Sequence, residues 1–193
     1  MLRLILFRHA KADRPEGVAD HERPLAPRGR RQSEAMGKYM VAHGLVPDLA
    51  IVSTSRRTQE TWKIALPAFK GPIPQTDERR IYESSADNLL EVIRETADDK
   101  RIVVLVGHNP GMAQVAERLI GTGHPRAVAR IEREYPTGAL AVIDFKSPNW
   151  AAVSERSGYL DSTRLPTQPS GCCSLLRRSC RGWPRTTGQP ATR

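Results

Sequence analysis

Apolar positions in this chain fall into short, nearly continuous runs separated by segments of helical spacing. Residues 2–7 read Leu-Arg-Leu-Ile-Leu-Phe, residues 48–53 Asp-Leu-Ala-Ile-Val-Ser, and residues 102–106 Ile-Val-Val-Leu-Val. Runs of this kind belong to strands covered on both faces, as in parallel sheets. Between them, residues 28–43 place Met36, Tyr39, Met40 and His43 at helical spacing, and Gly44 is positioned to end that helix in a left-handed turn. Residues 54–57 lead into a second predicted helix, with Trp62, Ala65 and Leu66 on one face and Pro67 closing it. Residues 80–83 read as a brief strand or edge, after which Ser84 or Ser85 caps a helix carrying Leu89, Leu90 and Ile93. Pro110 suits the first turn of a further helix. Met112, Val115, Ala116, Leu119 and Ile120 then follow the i, i+3, i+4, i+7, i+8 pattern up to Gly121. Residues 137–145 form another predicted strand, with residues 150–153 as its hairpin partner. This alternation predicts a three-layer α/β/α sandwich around a largely parallel central sheet.

The pattern fails past residue 156. Gly, Pro, Ser, Thr, Arg and Cys dominate there without sustained periodicity, a composition that rarely buries enough apolar area to offset ordering entropy. One domain over residues 1–156 is therefore expected, followed by a disordered or aberrant tail over 157–193.

That division changes how the charge is read. The net charge of +9 comes largely from the tail, which holds six arginines against one aspartate. The preceding residues carry 24 Lys+Arg against 20 Asp+Glu, a mildly basic body suited to handling anions rather than a polybasic binder. Arg177, Arg178, Arg181 and Arg185 cluster loosely, but only Trp183 is available there for stacking, so nucleic-acid binding is not expected. All three cysteines (Cys172, Cys173, Cys180) lie in the tail and form no CxxC pairing with histidines, so no zinc site is expected. No apolar run approaches the ~20 residues of a membrane span. The first run is cut by Arg8 too early for a secretory signal, and a cytoplasmic location is expected.

Chemistry concentrates where the predicted strands stop. The first ends in Arg8-His9, the second in Ser53 leading to Arg56 and Arg57, and the strand at 102–106 in Gly107-His108. Ligands of open α/β sheets bind outside the carboxyl ends of the strands, so parallel strands would bring these residues to one rim. Two guanidiniums beside two imidazoles oppose a divalent cation and suit a dianion such as a phosphoryl group, whose oxygens match the arginine fork. The helix opening at Pro110 would add backbone N–H groups and its positive end. A histidine in such a pocket can act as nucleophile, as general acid or base, or as a donor to phosphoryl oxygens. His21, His43 and His124 fall in loop or helix-end contexts, and no role is assigned to them.

Taken together, these segments resemble the histidine phosphatase superfamily, which includes the phosphoglycerate mutases. Arg8-His9-Ala10-Lys11 is similar to its Arg-His-Gly signature, with Ala10 as in the subgroup of SixA-type phosphohistidine phosphatases. Residues 22–25 with Gly29 resemble the loop entering the first helix, and residues 53–61 the family's serine, arginine and threonine pattern. Residues 106–110 resemble the second-histidine motif, and residues 135–139 the entry to the following strand. The likeness covers about residues 2–155 and implies a phosphoglycerate mutase-like fold.

The resemblance further implies a metal-independent phosphatase that needs no cofactor. His9 would carry a transient phosphoryl group, while Arg8, Arg57 and His108 would hold the phosphoryl oxygens. Arg56 would sit outside the pocket. Glu83 stands in a loop position that supplies the general acid in many relatives. The expected substrate is phosphohistidine on a protein. A small phosphomonoester is the alternative, and a non-catalytic phospho-ligand binder is the reading outside catalysis. A mutase is disfavoured because the chain lacks the long insertions that hold a phosphosugar acid.

Overall fold

The computed structural model describes residues 1–166. Its strands are β1 (Leu2–Arg8), β2 (Leu49–Ser53), β3 (Gln75–Glu78), β4 (Ile102–Gly107), β5 (Ile120–Gly123), β6 (Leu140–Phe145) and β7 (Gly158–Arg164). Its helices are α1 (Pro27–Ala42), α2 (Arg56–Ala65), α3 (Ala86–Arg94), α4 (Gly111–Leu119) and α5 (Pro125–Arg133). The strands form one seven-stranded sheet in the order β3-β2-β4-β1-β6-β7-β5. β1 to β4 run parallel to one another, β6 runs antiparallel to β1, and β7 and β5 return to the first direction.

Alternation along β1 explains the three layers. Leu2, Leu4 and Leu6 face one side, where Val103 and Leu105 join Leu89, Ile93, Met112, Val115 and Leu119 of α3 and α4. Ile5 and Phe7 face the other, against Met36, Met40, Trp62 and Ala65 of α1 and α2. Both faces are buried from Leu4 to Phe7, so that stretch reads as a continuous apolar run, and Arg3 before it is neutralised by Asp144 at 2.7 Å. Gly44 adopts a φ of +69° just after α1, a conformation open to glycine without a Cβ clash. Ser85, rather than Ser84, caps α3 by accepting a hydrogen bond from the Asn88 backbone N–H at 3.3 Å.

Several expectations need correction. The supposed strand at 80–83 is displaced: the strand is Gln75–Glu78, and Arg79–Ile81 form a short 3-10 turn. Residues 150–153 are not a strand. Trp150 is fully buried and its indole N–H donates to the Lys100 carbonyl at 2.6 Å, which holds a loop under the sheet. The true partner of β6 is β7, which places the expected domain boundary after residue 156 too early. β7 buries only Gly158 and Leu160 completely, yet it pairs with β6 on one side and β5 on the other. Strand β5 and helix α5 are additions that hydrophobic spacing did not indicate. The remainder of the expected tail, with the three cysteines and Trp183, lies outside the described residues. Among the described residues, no helix is long and apolar enough to cross a membrane.

Candidate active site

The parallel register brings the two histidines together. Arg8 on β1 pairs with Gly107 on β4, and the His9 backbone N–H continues that ladder by donating to the Gly107 carbonyl at 3.0 Å. The next residue on each strand is therefore a histidine, and the two ring centroids lie 5.1 Å apart. The segment after His9 is anchored from both flanking helices. The Ala10 N–H donates to Thr61 Oγ1 of α2 at 3.1 Å, and the Lys11 N–H to Gln32 Oε1 of α1 at 3.1 Å.

Hydrogen bonding defines the tautomer of His9. His9 Nδ1 lies 2.8 Å from the Ala10 carbonyl oxygen, which can only accept, so Nδ1 carries the hydrogen and Nε2 keeps its lone pair. Burial draws the His9 pKa down to about 4, reinforced by Arg57 and Arg8 and opposed by the Ala10 bond. His108 Nε2 sits 2.9 Å from the Ser53 hydroxyl, and its Nδ1 is buried without a partner. Burial first, then His9 and Arg57, draws the His108 pKa down to about 3. Both rings are thus neutral at physiological pH.

The guanidiniums are held by backbone and carboxylate. Arg8 donates from Nη1 to the Tyr135 carbonyl at 2.7 Å, and its Nε is buried without a partner among the described residues. Tyr135 is fixed in turn by its hydroxyl, which donates to the Leu6 carbonyl at 2.7 Å. Arg57, only 6% exposed, donates from Nη1 to the Asp20 carbonyl at 2.6 Å and from Nη2 to Asp20 Oδ2 at 2.9 Å. Asp20 also accepts from Arg23 Nη1 at 2.7 Å and from the Tyr82 hydroxyl at 2.9 Å. Arg23 above all, with Tyr82 and Arg57, holds the Asp20 carboxyl well below the usual carboxylate range. Tyr82 packs edge-on to His108 at 5.5 Å between centroids, with the Arg57 guanidinium 5.7 Å from its ring centre.

Arg8, His9, Arg57 and His108 therefore converge as the sequence predicts. Arg56 points away into an exposed ion pair with Glu60 at 2.8 Å. Glu83 is exposed, makes no hydrogen bond, and adopts a φ of +49° beside Tyr82. The sequence reading missed Asp20, Arg23 and Tyr82. An acidic residue three positions before an arginine in a polar loop was the only available signal, and it is a weak one.

The neutral histidines make a measurable demand on acid stability. In an unfolded chain they would titrate near ~6.5. The unfolded state therefore binds more protons than the folded state between that pH and about 4, so stability rises with pH there and falls on acidification. The slope is on the order of 1.4 kcal/mol per pH unit for each fully offset histidine. Urea midpoints should be lower at pH 5 than at pH 7, and His108→Gln should flatten the difference; equal midpoints for the native chain would contradict this account.

Comparison with known proteins agrees with the geometry. A model of the histidine phosphatase superfamily (branch 1) matches residues 4–87. A protein of Mycobacterium tuberculosis (strain ATCC 25618 / H37Rv) is 32% identical over 162 residues, spanning 83% of this chain and 99% of that one. The structure of SixA from Agrobacterium tumefaciens is 31% identical, covers 75% of this chain and 92% of that one, and superposes with a TM-score of 0.68. SixA from Nakamurella multipartitia, at 24% identity and a TM-score of 0.74, shares the fold over 86% of this chain and 97% of its own. Residue pattern, sheet order and relatives thus converge on one assignment: this chain is a phosphatase belonging to the histidine phosphatase superfamily.

Proposed function

We propose that the chain hydrolyses phosphohistidine on a protein substrate in the cytoplasm, through a covalent phosphoryl intermediate on His9. The observation that carries this reading is the Nδ1 hydrogen bond of His9. It leaves Nε2 as an unprotonated nucleophile beside two buried polar atoms, Arg8 Nε and His108 Nδ1, that have no partner among the described residues. Buried donors of this kind are costly unless a ligand completes them.

In the first step His9 Nε2 attacks phosphorus as the bond from phosphorus to the substrate nitrogen breaks, and the electron pair leaves with the substrate imidazole. Arg8, Arg57 and His108 hold the equatorial oxygens, where charge accumulates. If the Ser53 hydroxyl donates to His108 Nε2, Nδ1–H is free to donate to an oxygen of the phosphoryl group. In the second step water attacks phosphorus, the bond to His9 Nε2 breaks, and inorganic phosphate leaves. The SixA relatives support the substrate class, since 31% identity to the Agrobacterium protein extends over most of both chains. Small phosphomonoesters are the second reading. They differ in demanding a proton donor, because an alkoxide is a poorer leaving group than an imidazole.

The two readings separate in a substrate panel. Phosphate release from a phosphohistidine-bearing phosphocarrier should exceed release from glycerol phosphate in kcat/KM by at least about 10²-fold, the scale of one missing acid–base contribution. Equal or reversed values would move the assignment to small esters.

A further inference from the structure

We infer that His21 is the proton donor to the leaving group when the substrate is an ester, a role that neither the motif pattern nor Glu83 fills. This rests on the phosphatase reading of the same pocket.

Ring contacts connect His9 to His21 in three steps. His9 and His108 are 5.1 Å apart, Tyr82 is 5.5 Å from His108, and His21 meets the Tyr82 ring edge-on at 4.8 Å. His21 is the outermost ring, and its side chain is 37% exposed while His9 and His108 are buried. In-line displacement puts the leaving group opposite the attacking nitrogen, away from His9, and we place the more exposed His21 on that side.

Backbone neighbours tie His21 to the same pocket twice. It follows Asp20, whose carboxylate and carbonyl hold Arg57. Its Nε2 lies 3.1 Å from Thr54 Oγ1, and Thr54 follows Ser53, whose hydroxyl holds His108. Two consecutive hydroxyl residues at the end of β2 therefore position the inner and the outer imidazole. His21 Nδ1 lies 2.8 Å from Glu22 Oε1, and a carboxylate only accepts, so Nδ1 bears a hydrogen. A second hydrogen on Nε2, shared with the Thr54 hydroxyl, completes the acid form. Other ionisable groups at the mouth are poor donors. Asp20 is held as a carboxylate by Arg23, Tyr82 and Arg57, and the Tyr82 hydroxyl is committed to Asp20, whose proximity together with burial raises its pKa. Glu83 is exposed and forms no hydrogen bond or ion pair among the described residues.

The step balances without another reactant. As His9 Nε2 bonds to phosphorus and the P–O bond to the alcohol breaks, the Nε2 proton of His21 passes to the departing oxygen, leaving neutral His21 and a free alcohol. Water then attacks the phosphohistidine, its proton passes to solvent as phosphate leaves, and the partly exposed His21 regains its proton from solvent.

The test compares two esters, p-nitrophenyl phosphate and glycerol phosphate, in wild type, His21→Gln and Glu83→Gln. A nitrophenolate leaves without help and an alkoxide does not. His21→Gln should lower kcat for glycerol phosphate by about 10²-fold or more, and for the nitrophenyl ester by less than about threefold, within the range of general acid catalysis. Activity retained on the activated ester certifies that the variant is folded. Equal losses on both esters, or no loss on either, would overturn the assignment. A leaving-group-dependent loss in Glu83→Gln rather than His21→Gln would also overturn it. Wild type that releases phosphate from neither ester would remove the ester-phosphatase reading and its acid together, whereas a uniform loss removes the acid alone.

Discussion

His9→Ala is expected to abolish turnover, lowering kcat by about 10⁴-fold or more while the fold remains intact. The residue is 9% exposed, and among the described residues the ring's only polar tie is to the carbonyl of the next residue, so truncation orphans a single acceptor. The cost to stability should be of order 1 kcal/mol. The distinguishing readout is covalent. Wild type quenched during turnover of a labelled phosphoryl donor should carry acid-labile, base-stable label, the signature of phosphorus on nitrogen, and His9→Ala should carry none. A variant that retains turnover, or a wild-type label stable in acid, would remove His9 as the nucleophile.

The second large effect concerns Arg57. Arg57→Ala should reduce kcat/KM by roughly 10³-fold, the scale of losing one preorganised donor to transition-state charge. Lysine should recover little. Arg57 uses two nitrogens on Asp20, at 2.6 and 2.9 Å, and a planar fork can direct further N–H bonds at an oxyanion from the same fixed plane. A lysine ammonium cannot keep both Asp20 contacts and that direction. Asp20 keeps Arg23 and Tyr82 when Arg57 is removed, so its loop should stay in place. Inhibition by orthovanadate gives an independent measure: it should weaken in Arg57→Ala and be largely unchanged in Arg56→Ala, which alters only the surface pair with Glu60. Comparable effects at both positions would mean that bulk charge, rather than the positioned fork, supports binding.

The legible parts of the fold are those with a single physical cause. β1 and β4 were readable because burial on both faces leaves no polar alternative, and Arg8, His9 and His108 were readable because they interrupt those runs. Arg56 and Arg57 both follow the end of β2, and only the serine-to-arginine spacing of the resembled family singles out Arg57. β7 was not readable, since its buried positions include Gly158. A Cβ there would lie 2.5 Å from Ile143 Cγ2 and 2.9 Å from the Leu119 carbonyl, so close packing selects the residue that hydrophobicity scales ignore. β5, with the sequence Ile-Gly-Thr-Gly, was hidden for the same reason. The Asp20 to Arg57 contact joins residues 37 apart through a polar loop, and no local period encodes the path of such a loop. Tyr82 carries no local signal of its role, although it is the residue that meets His108 edge-on.

The sheet order also bears on synthesis. Of the strands, β5 pairs only with β7, and β7 is the last of the seven to be made. While the chain is growing, the catalytic half formed by β1, β2 and β4 can assemble, because all of its strands and both histidines precede residue 110. β6 can then dock on β1, but its outer edge and the whole of β5 wait without partners until residue 164 has emerged. Exposed strand edges of this kind recruit other chains. The nascent protein is thus most open to misassembly after its chemistry has been laid down and before β7 pairs with β6 and β5.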